Sequence, residues 1–248
     1  MNIFETIFLG ILQGITEWLP VSSSGHLVLF SNWLKIDTSL EFDVFLHVAS
    51  LLVILLFFKK EITEIVRQPF IKKKSDKKNW WLYIILSTAM TVLIAGILYD
   101  KIDNFRTVYS VADWLLITTF LLLATKFVVG PNQKINWKVA LVLGLVQGFA
   151  VIPGLSRSGV VIATALILKI KKRDAFDYAF ILAIPAILGS FILTVQDFAF
   201  QWLYLVGFVV TMFVGYWTLY LLKMVINKNY FYLFFLYTAI LSIIINFI

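Results

Sequence analysis

From residue 81 to residue 99 the chain reads WLYIILSTAMTVLIAGILY, nineteen positions without a charged side chain. Wound as an α-helix, such a run covers about 30 Å, the thickness of a bilayer's hydrocarbon core. Comparable apolar segments occupy residues 42–58, 111–129, 177–196, 202–222 and 230–248. None alternates with the period of two that a barrel strand requires, so each reads as a helix. With 61% hydrophobic and only 14% charged residues, a chain of 248 residues carries more apolar surface than a soluble domain of that length can bury. The expected fold class is therefore an all-α polytopic membrane protein with six transmembrane helices, built as a single transmembrane domain over residues 1–248. Residues 1–20 lack a basic leader and contain Glu5 and Glu17, so a cleaved signal peptide is not expected. The absence of cysteine excludes disulfides and thiolate chemistry.

Two further apolar regions, 3–34 and 138–170, are each broken in the middle, by LPVSSSG in one and IPGLSRSG in the other. Their arms are short for spanning helices. Non-helical backbone at membrane depth is tolerable only where protein buries it or where it lines a watery cavity, so both regions read as re-entrant helix-loop-helix hairpins, with a full span followed by a short helix as the alternative. They also match one another. LGILQGITEWLPVSSSG from Leu9 pairs with LGLVQGFAVIPGLSRSG from Leu143 at a constant shift of 134, which places Gln13 with Gln147, Ser22 with Ser156, Ser24 with Ser158 and Gly25 with Gly159. The same shift carries Asp43 onto Asp177 and Ala49 onto Ala183. The chain thus divides into a first half, 1–130, and a second half, 131–248. Each holds one hairpin and three spans, and an odd number of spans turns the second copy upside down, giving an inverted-topology repeat.

The basic residues follow the same plan. Seventeen of the twenty-one Lys and Arg fall in connections on one side: Lys59 to Lys78, the region of Lys126, Lys134 and Lys138, Lys169 to Arg173, and Lys223 with Lys228. Lys35, Lys101 and Arg106 fall on the other. Cytoplasmic loops are the basic ones, so both termini and the cavity of the first hairpin are expected to face outside in a multi-pass plasma-membrane protein. The net charge of +7 therefore reports membrane topology and not nucleic-acid binding. The lysine run IKKKSDKK reads as a solvated loop that touches anionic membrane lipids, and Trp80, Trp81, Trp114, Trp137 and Trp202 read as interface anchors.

Only Arg157 is left at membrane depth, where a bare charge costs several kcal/mol or more. The repeat sets it opposite Ser23, facing the SSSGH loop, unless it forms a permanent ion pair with Glu17. Two glycine- and hydroxyl-rich loops that open helices, together with one guanidinium, suit a pyrophosphate. This nominates Ser22, Ser24, Gly25, Gly154, Ser156 and Ser158 as substrate-binding positions. Glu17 is suited to act as base, acid or metal ligand, and Gln13, one turn earlier, to orient water or ligand. Ser23 and His26 are candidates for nucleophile and assistant. His47, one turn beyond Asp43, reads as a satisfied polar residue.

QGITEWLPVSSSGH together with PGLSRSG resembles the undecaprenyl-diphosphate phosphatases of the bacitracin-resistance type, with their (E/Q)xxxE motif running into PVSS(S/T)GH and their PGxSRSG motif. DVFLHVASLLVILLFFKKEI is similar to that family's next span. The resemblance implies hydrolysis of the terminal phosphate of a C55 isoprenyl diphosphate, which recycles the carrier lipid of cell-wall synthesis. It also implies Glu17, Ser23, His26 and Arg157 as the functional residues, and a divalent cation, Mg2+ or Ca2+. Gln13 is the amide option at its position, and Val161 and Ala49 depart from the usual Thr and Gly. A transporter or flippase of a phosphorylated lipid or anion is the alternative, since broken helices in inverted repeats also build carriers. Nothing in the sequence chooses between a monomer and a homodimer.

Overall fold

The computed structural model describes residues 1–36, 40–70, 77–130, 132–194 and 201–247. Among them the regular structure is helical. In chain order the α-helices are α1 (Ile3–Thr16), α2 (Ser23–Leu34), α3 (Leu40–Phe57), α4 (Lys59–Arg67), α5 (Trp80–Leu98), α6 (Val108–Ala124), α7 (Trp137–Phe149), α8 (Arg157–Ile167), α9 (Lys172–Thr194), α10 (Trp202–Asn227) and α11 (Phe234–Phe247). Four helical stretches are long and apolar enough to cross a bilayer, Trp80–Ile102, Val108–Phe127, Lys172–Leu193 and Trp202–Asn227. A fifth is reached if α3 and α4, bent by 75° at Phe58, count as one span. The last apolar segment is helical but shorter, at Phe231–Phe247.

Both broken regions form a helix, a non-helical turn and a second helix. The arms have 14 and 12 residues in α1 and α2, and 13 and 11 in α7 and α8. At 1.5 Å per residue none exceeds about 21 Å, short of a full crossing. The turns are built alike. Ser22 caps α2 by accepting from the Gly25 N–H at 3.2 Å, and Ser156 caps α8 by accepting from the Gly159 N–H at 3.1 Å. A hydroxyl in this place satisfies an amide the first turn leaves open.

The same contacts recur where the arms meet longer helices. α1 lies along α10: a Cβ on Gly10 would meet the Gly207 carbonyl at 2.9 Å, one on Gly14 would meet the Thr211 carbonyl at 3.1 Å, and Thr211 donates to the Gly10 carbonyl at 3.0 Å. α7 lies along α5 in the same manner. A Cβ on Gly144 would meet the Ser87 carbonyl at 2.3 Å, one on Gly148 would meet the Thr91 carbonyl at 3.1 Å, and Thr91 donates to the Gly144 carbonyl at 3.0 Å. Each half therefore sends its first arm onto a helix of the other, and the backbones approach so closely that only glycine fits.

The basic connections converge on one end of the bundle. Arg173 lies 3.9 Å from Glu61, Lys77 donates to Asp177 at 2.8 Å, and the Asn132 and Gln133 amides donate to the Lys169 carbonyl, each at 2.9 Å. Two details differ from the sequence reading. Of the run IKKKSDKK, residues 71–76 lie outside the described residues, and Lys77 is buried, not solvated, because Asp177 and the ring of Trp80, 5.0 Å away, receive its ammonium. Trp80 is likewise buried, edge-on to Tyr178, whereas Trp137 and Trp202 are exposed as anchors should be.

Candidate active site

The two turns touch. A Cβ on Gly159 would come within 3.0 Å of the Pro20 ring, and the Gly154 N–H donates to Ser22 Oγ at 3.1 Å. Ser158 Oγ donates to the Leu19 carbonyl at 3.1 Å. Gly154 has φ +99°, and a Cβ there would lie 2.5 Å from the Val111 carbonyl, so both the turn and the packing on α6 require glycine. Thr118 of α6 completes the second turn by accepting from the Ser156 N–H at 3.2 Å.

Glu17 occupies the meeting point, nearly inaccessible at the end of α1. Its Oε1 accepts from Arg157 Nη2. Its Oε2 accepts from Ser23 Oγ at 2.6 Å and from Gln13 Nε2 at 3.1 Å. His47 Nε2 lies 3.4 Å from the same oxygen. One carboxylate thus gathers a guanidinium, a hydroxyl and an amide that donate to it, and an imidazole that can donate only when both of its nitrogens carry protons. Arg157 keeps a fifth of its side chain accessible, and Ser23 and Ser24 are half-buried, so the cluster is not sealed. The N-termini of α2 and α8 both start here and bring the unpaired amides and positive dipole ends that attract phosphate.

The remaining sequence candidates are distributed around this point. Ser22 and Ser156 are buried helix caps, Ser24 Oγ lies 3.4 Å from Ser22 Oγ, and Gly25 packs against Gly154. Arg157 meets Glu17 directly, and the shared carboxylate is what brings it beside Ser23. His26 sits apart from Glu17: Nδ1 lies 2.8 Å from the Ser22 carbonyl and Nε2 lies 2.7 Å from the Tyr237 hydroxyl. His47 bonds its own span as a satisfied polar residue should, its Nδ1 donating to the Asp43 carbonyl at 2.8 Å, but its other nitrogen faces Glu17. Its one sequence signal was a histidine inside an apolar span.

A divalent cation needs hard oxygen donors. Gln13 Oε1, fully buried, has no hydrogen-bond partner although its amide group sits against Glu17. That orphaned oxygen and the Glu17 carboxylate are the right donor types for a hard cation that draws its other ligands from phosphate and water. Among the described residues no cluster of three or more His, Asp or Glu side chains forms a preassembled cation cage.

Residues 6–244 match the family model of bacitracin resistance protein BacA. The chain belongs to that family. A curated relative from Methanococcus vannielii, named undecaprenyl-diphosphatase, is 38% identical over 229 residues, covering 88% of this chain and 89% of that protein. Relatives of the same name from Methanobrevibacter smithii and Halothermothrix orenii are 34% and 38% identical; the first match covers 99% of this chain and 97% of that protein, the second 79% and 76%. Family membership applies to the whole bundle, both turns included.

Proposed function

We propose that the protein is an integral-membrane phosphatase that hydrolyses undecaprenyl diphosphate, or a related polyprenyl diphosphate, to the monophosphate and inorganic phosphate. The reaction regenerates a lipid carrier for cell-wall polymers and confers resistance to bacitracin. One observation carries the reading: a hydroxyl and a guanidinium share one buried carboxylate where two helix N-termini meet. A carrier has no use for a nucleophile hydrogen-bonded to its base, and phosphoryl transfer has.

The ion pair between Arg157 and Glu17 holds the resting site neutral. An entering diphosphate offers Arg157 a bidentate partner of higher charge, and the guanidinium turns to it. Glu17, released from its strongest partner, becomes a better base and takes the Ser23 proton. Ser23 Oγ attacks the terminal phosphorus in line. The bond from that phosphorus to the bridging oxygen breaks, Glu17 passes the proton to the leaving oxygen, polyprenyl monophosphate departs, and a phosphoserine remains. Water, giving a proton to the regenerated Glu17 carboxylate, then attacks that phosphorus; the bond from phosphorus to Ser23 Oγ breaks, Glu17 returns the proton to Oγ, and inorganic phosphate leaves. A divalent cation held by Glu17 and Gln13 Oε1 would neutralise charge on the diphosphate.

The recurring contacts of Gly10, Gly14, Gly144 and Gly148 support an inverted repeat in which six helices span the membrane and two re-entrant hairpins meet near its midplane. The lipid tail lies along the bundle, and the head group enters from the outer face of the plasma membrane, where both chain termini also lie.

Phosphate release from undecaprenyl and farnesyl diphosphate by the purified protein, with Mg2+ or Ca2+ and then with chelator, tests the reading. Release that is lost in Glu17→Gln and in Ser23→Ala is expected. A wild-type protein that releases none from either lipid overturns it.

A further inference from the structure

We propose that Tyr237 and His26 form a strut that holds the SSSG turn in its reactive shape, which makes both of them positioning residues of the phosphatase site. The proposal rests on the diphosphatase reading. It begins with the two nitrogens of His26. A carbonyl oxygen only accepts, so Nδ1, 2.8 Å from the Ser22 carbonyl, carries a proton. In the neutral ring Nε2 is then the acceptor, and the Tyr237 hydroxyl at 2.7 Å donates to it. Both nitrogens are spent inside the protein, and the imidazole is 1% exposed. No nitrogen is left to face a phosphate.

What the strut holds is strained. Ser22 has φ 69° and ψ 95°, a conformation that a residue with a Cβ keeps only when its surroundings impose it. Those surroundings are the His26 bond to its carbonyl and the Gly25 and Gly154 amides on its hydroxyl. Ser23 follows directly, so the 2.6 Å contact of its Oγ with Glu17 inherits the Ser22 geometry. The imidazole lies between two rings, Phe30 at 6.3 Å and Tyr237 at 5.8 Å, with interplanar angles of 22° and 12°. Tyr237 comes from the last helix, 211 residues away, and closes the assembly from outside.

The repeat supplies an internal comparison. The shift of 134 places Val160 where His26 stands, while the caps Ser22 and Ser156 are the same residue. The second turn is held by its serine cap and Thr118 without an imidazole, and its Ser156 has the ordinary extended φ of −80° and ψ of 109°. The imidazole thus occurs where the cap is strained, in the half that carries Ser23.

Two measurements on the full-length purified protein test this. The first is kinetic. Asparagine places an amide N–H close to where His26 Nδ1 stands, and glutamine places one nearer to Nε2. Tyr237→Phe should lower kcat by about 3- to 10-fold, the worth of one uncharged hydrogen bond, with KM close to wild type. His26→Asn should keep at least ten times the kcat of His26→Gln, and neither variant should lose a limb of the pH profile. Equal inactivity of both with a lost limb, or an unchanged kcat in Tyr237→Phe, overturns the proposal. The second measurement does not use activity: 15N NMR of the protein labelled at its two histidines, assigned with His47→Gln. His26 should be the Nδ1–H tautomer, and its Nε2 resonance should move in Tyr237→Phe. An Nε2–H tautomer, or no shift, overturns the strut even if the wild type proves inactive on every polyprenyl diphosphate, a result that would sink the diphosphatase reading by itself.

Discussion

At the scale of single residues, the site is a competition for one carboxylate. Arg157 is the strongest claimant on Glu17 in the resting protein, and the proposed chemistry starts when phosphate draws it away. Arg157→Ala should cost at least about 10²- to 10³-fold in kcat, as loss of a charge-stabilising donor does. Arg157→Lys keeps the charge without the fork and should fall between that variant and wild type. A lysine variant at full rate would show that bidentate capture is not used. Because removing one partner of a buried ion pair also destabilises, by about 3 to 5 kcal/mol, thermal unfolding of each variant must accompany its kinetics. Glu17, Ser23 and Arg157 were legible in the sequence because each lies in a turn marked by Pro, Gly and Ser, and because the 134-residue repeat tied the two turns together. His47 and Tyr237 were not. Their contacts run from α3 to α1 and from α11 to α2, pairings that helix packing creates and no local pattern announces.

At the scale of elements, the arms of the hairpins are held by glycine and not by hydrophobic bulk. In a bilayer, lipid is as apolar as leucine, so close backbone approach and hydroxyl-to-carbonyl bonds supply what burial cannot. Gly144→Ala is the sharpest test. Its methyl would sit 2.3 Å from the Ser87 carbonyl, a backbone atom that cannot swing aside. The expected loss is about 1 to 3 kcal/mol or more, read as a lower unfolding temperature in detergent. Gly96→Ala, in α5 with nothing within 4 Å, should be neutral or slightly stabilising. Equal effects would remove the argument from close contact. The apolar runs located the long helices to within a few residues, since length and hydropathy are local quantities. The 75° bend at Phe58, the amphipathic α4 and the burial of Lys77 under Asp177 were not legible, because each depends on what the other half presents at that place.

At the scale of the whole molecule, the proposed spans and the charge distribution make one joint prediction about sidedness. α6, long and apolar enough to cross, lies between the connection after α5 and the connection before α7 and puts them on opposite faces, and the convergence of Glu61, Lys77, Lys169 and Arg173 makes the second the basic one, the face proposed as cytoplasmic. The chain has no cysteine, so single reporters can be placed without background. Asn104 and Asn132 are both exposed and lie in those two connections. In intact cells a membrane-impermeant maleimide should label Asn104→Cys and spare Asn132→Cys, and opening the cells should expose the second. The reverse pattern would place Glu17 and Ser23 on an inward-opening path and demand a cytoplasmic source of the diphosphate. Labelling of both in intact cells would mean that α6 does not cross the membrane; the first half would then hold an even number of spans, and the inversion argued from an odd number would fail.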